Sequence, residues 1–345
     1  MLLKQLCDAF GVSGAEAEVR DIIRQELCTI GKTKTDPLGN LFVEKTAKYD
    51  KPTLMLCAHM DEVGFMIKHI DNNGFLRFDK IGGIDDRILV SKNVVIGPNK
   101  IRGVIGAKAI HLQEPKERET PLRSKELYID IGATSKEDAE KHVKIGDYAV
   151  FDTEFRSIDN IIMGKALDDR IGCYVVSEVL KKSYDVPITA AFTVQEEIGL
   201  RGSAVAAYAV NPDFAIVVET TFASDVPDTE EESYCTTLSE GPAITFMDMT
   251  YIAEKALINW VTDIAKQYNI PYQYKRTAFG GTDGGRIYTT RKGIPTVIFS
   301  VPCRYIHSPV ALANIEDINH TISLVEKIIL HIKEKPTIKS KVGFE

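Results

Sequence analysis

Four short apolar segments of the sequence each lead to side chains that can bind a metal ion. They are residues 53–58 (TLMLCA) before His59, 188–194 (ITAAFTV) before Glu196 and Glu197, 214–218 (FAIVV) before Glu219, and 296–301 (TVIFSV) before His307. Such runs are typical of buried parallel strands. Because sites in open α/β sheets form beyond the carboxyl ends of the strands, these side chains are predicted to share one site.

Two adjacent carboxylates, Asp168 and Asp169, stand at a predicted helix start within the segment GKALDDR. Aspartate is favoured at helix N-caps, and for this pair alone an N-cap is the simpler interpretation. Beside the four strand ends, a carboxylate that bridges two metal ions explains the pair better.

Each of the other candidates also has a simpler interpretation. A single histidine such as His307 is more often an ordinary polar residue than a ligand, and Glu196 with Glu197 could be a solvated charge pair. These glutamates directly follow a buried run, however, so at least one is expected to point into the site. If both approach the metal ions, one coordinates and the other takes a proton from metal-bound water. His59 has a carboxylate two residues later, Asp61, that can accept its second imidazole N–H.

The candidate ligands are imidazoles and carboxylates, without cysteine. Such a set suits zinc, manganese or cobalt better than it suits a structural zinc site. Five protein ligands with one shared also match the two-metal arrangement of hydrolytic enzymes, including aminopeptidases. The sequence therefore predicts two divalent metal ions per subunit.

The elements that must position these residues alternate between strand-like and helix-like segments in the outer parts of the chain. Apolar residues recur at helical spacing in residues 1–30, 169–180, 253–268 and 316–334. Alternation of this kind predicts an α/β fold with a mostly parallel sheet flanked by helices.

The middle of the chain has a different pattern, because its segments are short, alternating and broken by glycine. This pattern predicts an inserted small β-barrel or sandwich. The charged segment 113–123 (QEPKERETPLR) is expected to be a mobile loop within it. We therefore expect an α/β catalytic domain of residues 1–67 and 156–345, with an inserted β-rich domain of residues 68–155.

Composition narrows the class of protein. The net charge of -7 over 345 residues argues weakly against nucleic acid, which needs a basic field. No signal peptide or membrane-spanning run is expected. The six cysteines are scattered singly, which is typical of reduced thiols and predicts a cytoplasmic protein.

Several motifs together resemble one family, the co-catalytic metallo-aminopeptidases that include the tetrahedral aminopeptidases and bacterial glutamyl aminopeptidases. The matching segments are 58–64 (AHMDEVG), 165–170 (KALDDR), 195–199 (QEEIG), 280–283 (GGTD) and 304–309 (RYIHSP). Each is moderately specific, and their ordered set is highly specific.

The resemblance implies a role for each candidate. One metal ion would be held by His59, Asp168 and Glu219, and the other by Asp168, Glu197 and His307. Glu196 would be the general base that deprotonates the metal-bridging water and then protonates the leaving amine. Asp61 would orient His59.

The resemblance also implies an assembly and a substrate class. The inserted domain would form dimers, and dimers would assemble into a homo-oligomeric shell, often a dodecamer, that admits peptides but not folded proteins. At one position this sequence departs from the family, because Glu219 stands where aspartate is usual. The additional methylene could change how this ligand reaches its metal ion.

Three other functions stay open on the sequence. An endoglucanase, a label that some relatives have carried, would need two carboxylates and aromatic platforms, and the single Trp260 lies in a helix-like stretch. A metal-binding assembly protein could keep the fold with weak or lost peptidase activity. A deblocking peptidase would differ only in accepting capped amino termini.

Overall fold

The four apolar runs form four adjacent parallel strands at the centre of a large mixed sheet. In their order across the sheet, these strands are Ile188–Thr193, Leu54–His59, Phe214–Phe222 and Thr296–Arg304. A computed structural model describes residues 1–334 of the chain. The last residues of the expected catalytic segment, 335–345, lie outside the described residues.

Antiparallel strands extend this sheet on both sides. Lys32–Thr35 and Leu41–Lys45 lie beyond Ile188–Thr193. The other flank continues in the order Ala311–Asn314, Ile161–Gly164 and Arg156–Ile158, and the short strands Ala243–Ile244 and Gln273–Tyr274 add to the side of Thr296–Arg304. The parallel strands predicted from the apolar runs therefore form the central part of the observed sheet. The apolar runs did not predict the antiparallel strands on its two flanks.

Helices cover both faces of the sheet, because successive side chains of the central strands point to opposite faces. Leu54 and Leu56 pack into one apolar core, whereas Met55 and Cys57 pack into another. The α-helices within residues 1–334, in chain order and with those of the barrel insert included, are Leu2–Asp8, Ala17–Leu27, Pro115–Glu119, Lys136–Ala139, Leu167–Leu180, Arg201–Val210, Lys255–Gln267, Asp283–Ile287 and Ile315–Leu330. Short 3-10 turns occur at Asp86–Ile88, Ile110–Leu112, Ser124–Glu126, Glu231–Ser233 and Ile332–Glu334.

The inserted segment is a closed six-stranded antiparallel barrel with its own apolar core. Around the barrel, its strands are Gly64–Ile70, Leu76–Ile81, Tyr128–Asp130, Ile101–Gly106, Asn93–Ile96 and Tyr148–Phe151. Inside, the ring of Phe65 lies edge-on to Phe78 at 5.1 Å and to Phe151 at 5.2 Å between centroids. The predicted α/β fold with an inserted β-barrel is confirmed.

Two details differ from the expectations drawn from the sequence. The first barrel strand begins at Gly64, before the domain boundary that was expected at residue 68. Its side chains are buried in an irregular order, so the sequence pattern did not mark where the strand begins. The segment 113–123 contains the short helix Pro115–Glu119, whose first turn is closed by a capping box between Glu114 and Glu117. The division into domains at 67/68 and 155/156 stays a prediction. Every helix among residues 1–334 is too short or too polar to cross a membrane.

Candidate metal centre

The predicted ligands gather at the carboxyl edge of the central strands. His59 ends its strand, Glu219 lies in Phe214–Phe222, and Glu197 follows Ile188–Thr193 closely. His307 comes after the end of Thr296–Arg304, and Asp168 lies in the first turn of the helix Leu167–Leu180. The structure thus brings all five predicted ligands to one place.

Asp168 lies between the two histidines. Its Oδ1 is 3.3 Å from Nε2 of His59, and its Oδ2 is 3.2 Å from Nε2 of His307. The two oxygens of one carboxylate therefore face two different imidazole nitrogens. This arrangement suits a carboxylate that is shared between the two ions of a two-metal site.

A second carboxylate accompanies each histidine. Glu219 Oε2 is 3.6 Å from Nε2 of His59, and Glu197 Oε2 is 3.2 Å from Nε2 of His307. The ligand atoms of Asp168, Glu197 and His307 all lie within 4.8 Å of one another. This group coincides with the second ligand set that the resemblance implies.

The group around His59 contains Asp169, whereas the resemblance implies Asp168 as the ligand beside His59 and Glu219. Ligand atoms of His59, Asp169 and Glu219 also lie within 4.8 Å of one another. Both oxygens of Asp169 already accept backbone hydrogen bonds, from the N–H of His59 at 3.3 Å and of Gly172 at 2.9 Å. The only signal in the sequence was its position beside Asp168.

Glu219 reaches the centre despite its additional methylene. While Oε2 faces His59, Oε1 accepts the backbone N–H of Asp283 at 3.2 Å. Asp283 is itself fully buried, and its carboxylate accepts the hydroxyl of Thr193. Asp283 belongs to the segment 280–283 (GGTD) that carried the resemblance, but the sequence alone gave it no role.

Asp61 is buried and holds the residues around it through several hydrogen bonds. Nδ1 of His59 lies 3.1 Å from the backbone carbonyl of Asp61 and 3.5 Å from its carboxylate Oδ1. The carboxylate also accepts the backbone N–H groups of Glu196 at 2.9 Å and Glu197 at 3.1 Å, and the hydroxyl of Ser13 at 2.6 Å. Asp61 therefore lies closer to the imidazole through its backbone carbonyl than through its carboxylate, and the carboxylate fixes the backbone of both glutamates.

Glu196 lies beside the ligands without belonging to either group. Its Oε2 is 4.0 Å from Nε2 of His59. Burial raises the pKa of Glu196, and the nearby carboxylates of Glu219 and Glu197 raise it further. His59 lowers it, but the pKa still lies well above its usual value. A carboxylate near the ligands with a raised pKa has the properties of a general base.

The charges of the centre are not balanced by its own side chains. Burial lowers the pKa of His307, but the facing carboxylates of Glu197 and Asp168 raise it more, to about 11. Burial also lowers the pKa of His59, but the facing carboxylates, first of all Asp168 and Asp61, raise it well above its usual value. Burial raises the pKa of Glu219 well above the usual range, against the opposing effect of His59. Bound cations would offset the mutual repulsion of these buried carboxylates.

The residues present fit divalent metal ions. Oε1 of Glu197 is buried without a hydrogen-bond partner among residues 1–334, so this oxygen has free lone pairs within the cluster. The available donors are imidazole nitrogens and carboxylate oxygens, which suit zinc, cobalt and manganese.

A cavity of about 500 Å³ opens directly beside the ligands. We call it the site cavity. Its walls include His59, Glu196 and Glu219, the residues 220–222 that follow Glu219, and residues 279–282 before Asp283. It gives a small substrate access to both ligand groups.

Comparison with known proteins decides the class of this centre. A profile of the M42 glutamyl aminopeptidase family matches residues 39–324. The chain belongs to this family. The resemblance drawn from the motifs is confirmed, and the chain is a metal-dependent aminopeptidase.

Named relatives of this M42 chain have different substrates. A lysyl aminopeptidase from Pyrococcus furiosus is 33% identical over 96% of this chain and 97% of that protein. A glutamyl aminopeptidase from Lactococcus lactis is 30% identical over 98% of each chain. A protein from Acetivibrio thermocellus is 40% identical over 95% of this chain and 97% of its own length.

Solved structures show the same fold. A TET aminopeptidase from a marine sediment Thaumarchaeota archaeon superposes with a TM-score of 0.93, at 36% identity over 96% of this chain and 95% of that chain. The TET1 peptidase of Pyrococcus horikoshii, which can assemble into a tetrahedron or a large octahedral shell, has a TM-score of 0.85 at 33% identity, over 95% and 98%. A Thermotoga maritima structure named an endoglucanase has a TM-score of 0.81 at 37% identity, over 96% and 97%.

Proposed function

We propose that this M42 aminopeptidase binds two divalent metal ions that share Asp168. His59 and Glu219 complete one site, and Glu197 and His307 complete the other. The observation that supports this assignment is the position of Asp168, whose two oxygens face the two histidines at 3.3 and 3.2 Å. Asp169 supports the first site through its hydrogen bonds to the backbone of His59 and Gly172.

The reaction is hydrolysis of the first peptide bond of a peptide. When bound, the metal ions polarise the scissile carbonyl and acidify the attacking water. Glu196 accepts a proton from this water and transfers it to the leaving amine, because its carboxylate lies beside the ligands and lines the site cavity. Asp61 is a positioning residue, since it holds the backbone N–H groups of Glu196 and Glu197.

The metal ions are zinc, cobalt or manganese, all of which bind imidazole nitrogen and carboxylate oxygen. The enzyme is cytoplasmic, as its unpaired cysteines favour. It is a homo-oligomer in which the inserted domain forms dimers that build a dodecamer. The similarity to the dodecamer-forming and shell-forming TET1 peptidase supports this assembly.

Metal removal and restoration test the proposed function. The protein is stripped with a chelator, and zinc, cobalt or manganese is restored separately, with calcium as a control cation. Each form is assayed on leucyl, lysyl and glutamyl p-nitroanilides, on one N-acetylated aminoacyl p-nitroanilide and on a cellulosic substrate. We expect hydrolysis of free-amine substrates to disappear on stripping and to return with a transition metal but not with calcium.

The other outcomes distinguish the alternatives. Hydrolysis of the N-acetylated substrate at a comparable rate would identify a deblocking peptidase. Loss of assembly on stripping, measured by light scattering, without peptidase activity in any restored form would identify a metal-binding assembly protein. Cleavage of the cellulosic substrate that survives stripping would favour the endoglucanase label; packing of Trp260 against Phe214 argues against an aromatic sugar platform there.

A further inference from the structure

The loop that carries Glu196 and Glu197 is held by side chains of distant residues. We call residues 194–197, which directly follow the strand Ile188–Thr193, the base loop. Each of its four backbone N–H groups donates to a side-chain oxygen. The pairs are Val194 with Asn40 at 3.0 Å, Gln195 with Glu16 at 3.3 Å, and Glu196 and Glu197 with Asp61 at 2.9 and 3.1 Å. The conformation of the base loop therefore depends on three buried acceptors.

Glu16 is the acceptor that comes from the N-terminal segment. It is 4% exposed, and its Oε1 accepts the backbone N–H groups of Gly14 at 2.7 Å and Gln195 at 3.3 Å. Glu16 directly precedes the helix Ala17–Leu27, whose apolar side chains pack into the main core. The carboxylate is therefore anchored by a helix, and hydrogen bonds from N–H groups to a carboxylate are among the strong ones.

Gln195 is the residue at which the base loop turns. Its φ of 58° lies in the left-handed region, which is unfavourable for a residue other than glycine. Gln195 directly precedes Glu196, so its backbone angles set the direction in which the Glu196 side chain leaves the loop. The hydrogen bond to Glu16 fixes the peptide plane on the N-terminal side of this turn.

Glu16 differs from Asp61 in what it contacts. Asp61 lies against His59 and accepts the N–H of Glu197, so its substitution affects two proposed metal ligands directly. The hydrogen bonds of Glu16 go to Gly14 and Gln195, neither of which is a proposed ligand. An effect of Glu16 on the reaction therefore passes through the base loop.

We infer that Glu16 is a positioning residue that directs the Glu196 carboxylate to the metal centre through the backbone of Gln195. This inference rests on the proposed function, because it takes Glu196 as the general base. It makes the N-terminal segment a working part of the site, although this segment lies outside the central sheet and supplies no proposed ligand.

Two substitutions of Glu16 test the inference. Glu16→Met keeps the length of the side chain and removes the acceptor, whereas Glu16→Gln keeps an oxygen that can accept the N–H of Gln195. The metal-restored forms are assayed on the best p-nitroanilide substrate, and active sites are counted by titration with an aminoacyl hydroxamate. We expect kcat per titrated site to fall by about 10- to 100-fold in Glu16→Met, the range for residues that orient functional groups. Glu16→Gln should keep most of the activity.

A double variant shows whether Glu16 acts through Glu196. If it does, Glu16→Met should lower the activity of Glu196→Gln by less than about 2-fold, because the two substitutions remove the same function. A further loss as large as that in the unaltered background would make the two effects independent and overturn the inference. Metal content of Glu16→Met should equal that of the unaltered protein. Loss of metal would assign Glu16 to the ligand Glu197 and also overturn it.

A control separates positioning from folding. Glu126→Met makes the same change at a carboxylate that accepts one backbone N–H, from Arg123 at 2.8 Å, in the barrel insert. It should leave kcat unaffected. An equal loss of kcat in Glu16→Gln and Glu16→Met would show that the hydrogen-bond acceptor is not what matters, and would contradict the inference.

The remaining outcomes distinguish this inference from the proposed function. Unchanged kcat in Glu16→Met overturns the inference and leaves the aminopeptidase function intact. If the unaltered protein hydrolyses no substrate, the proposed function fails, and amide hydrogen exchange still tests the role of Glu16. Peptides that cover the base loop should exchange faster in Glu16→Met than in the unaltered protein, while peptides of the barrel insert stay unchanged. Equal exchange of the base loop in both proteins contradicts the inference.

Discussion

Substitution of Asp61 by asparagine tests how the backbone of both glutamates is held. Asp61 Oδ1 accepts the N–H of Glu196, while Oδ2 accepts the N–H of Glu197 and the hydroxyl of Ser13. Asparagine keeps the shape of the side chain but replaces one oxygen by an NH2 group. In either orientation of the amide, its NH2 group faces the backbone N–H of Glu196 or of Glu197, so at least one of these donors loses its acceptor.

The size of the effect follows from these contacts. Loss of one buried hydrogen bond to a charged group is worth about 1.5–3 kcal/mol. Because the displaced backbone carries both a proposed metal ligand, Glu197, and the proposed general base, Glu196, we expect metal affinity and kcat/KM each to fall by about 10- to 100-fold, as for other residues that orient ligands. Ser13→Ala removes only the hydroxyl contact and should have a smaller effect.

Two assays measure this effect. Metal affinity is measured by competition with a chromogenic chelator, and kcat/KM with the best p-nitroanilide substrate. Asp71→Asn is the matched control, because Asp71 also accepts two backbone N–H groups, from Asn73 and Phe75, but in a barrel turn. It should leave metal affinity unchanged. If Asp61→Asn kept both quantities within about 2-fold of the unaltered protein, a difference below about 0.5 kcal/mol, the positioning role of Asp61 would be wrong.

Three further predictions concern the base, a buried ion cluster and a surface ion pair. Glu196→Gln should lower kcat by about 10²- to 10⁴-fold while metal content, measured by elemental analysis, stays unchanged; loss of metal would instead make Glu196 a ligand. Lys165→Met leaves the Glu62 carboxylate with one fewer cation and should lower the free energy of unfolding by about 3 kcal/mol in denaturant titrations, whereas no change would exclude a stabilising role. Burial raises the pKa of Asp225 but the Arg304 guanidinium lowers it more, so its folded pKa is depressed. The ion pair should therefore stabilise the fold above about pH 4 and lose this effect as the pH falls through the folded pKa of Asp225. The difference in unfolding free energy between the unaltered chain and Arg304→Met should accordingly shrink in acid. A difference that grows in acid would contradict this.

The clustering of the candidate ligands could be predicted from the sequence, because most of them follow recognisable strands. Continuous apolar runs identify the central parallel strands, and the carboxyl ends of such strands share one edge. His59, Glu197 and Glu219 lie at or just beyond these runs, so their proximity follows from topology alone. Asp168 required a further argument, because capping is the simpler explanation of a carboxylate pair at a helix start taken alone.

The groups around the ligands could not be predicted in the same way. Asp283 lies in a helix of only five residues that has no detectable periodicity, and its backbone N–H reaches Glu219 only because distant segments fold together. The hydrogen bonds of Asp61 to the backbone of Glu196 depend on loop geometry that residue spacing does not define. The strand Gly64–Ile70 was missed because its side chains alternate irregularly between buried and exposed.

The most direct test of the shared carboxylate is metal content in single ligand variants. Elemental analysis of the dialysed protein should give two transition-metal ions per chain for the unaltered protein, one for Glu219→Ala or Glu197→Ala, and none for Asp168→Ala. The unfolding temperature of each metal-free variant checks that it remains folded. One metal ion per chain in the unaltered protein, or two retained by Asp168→Ala, would contradict a centre in which Asp168 bridges two metal ions.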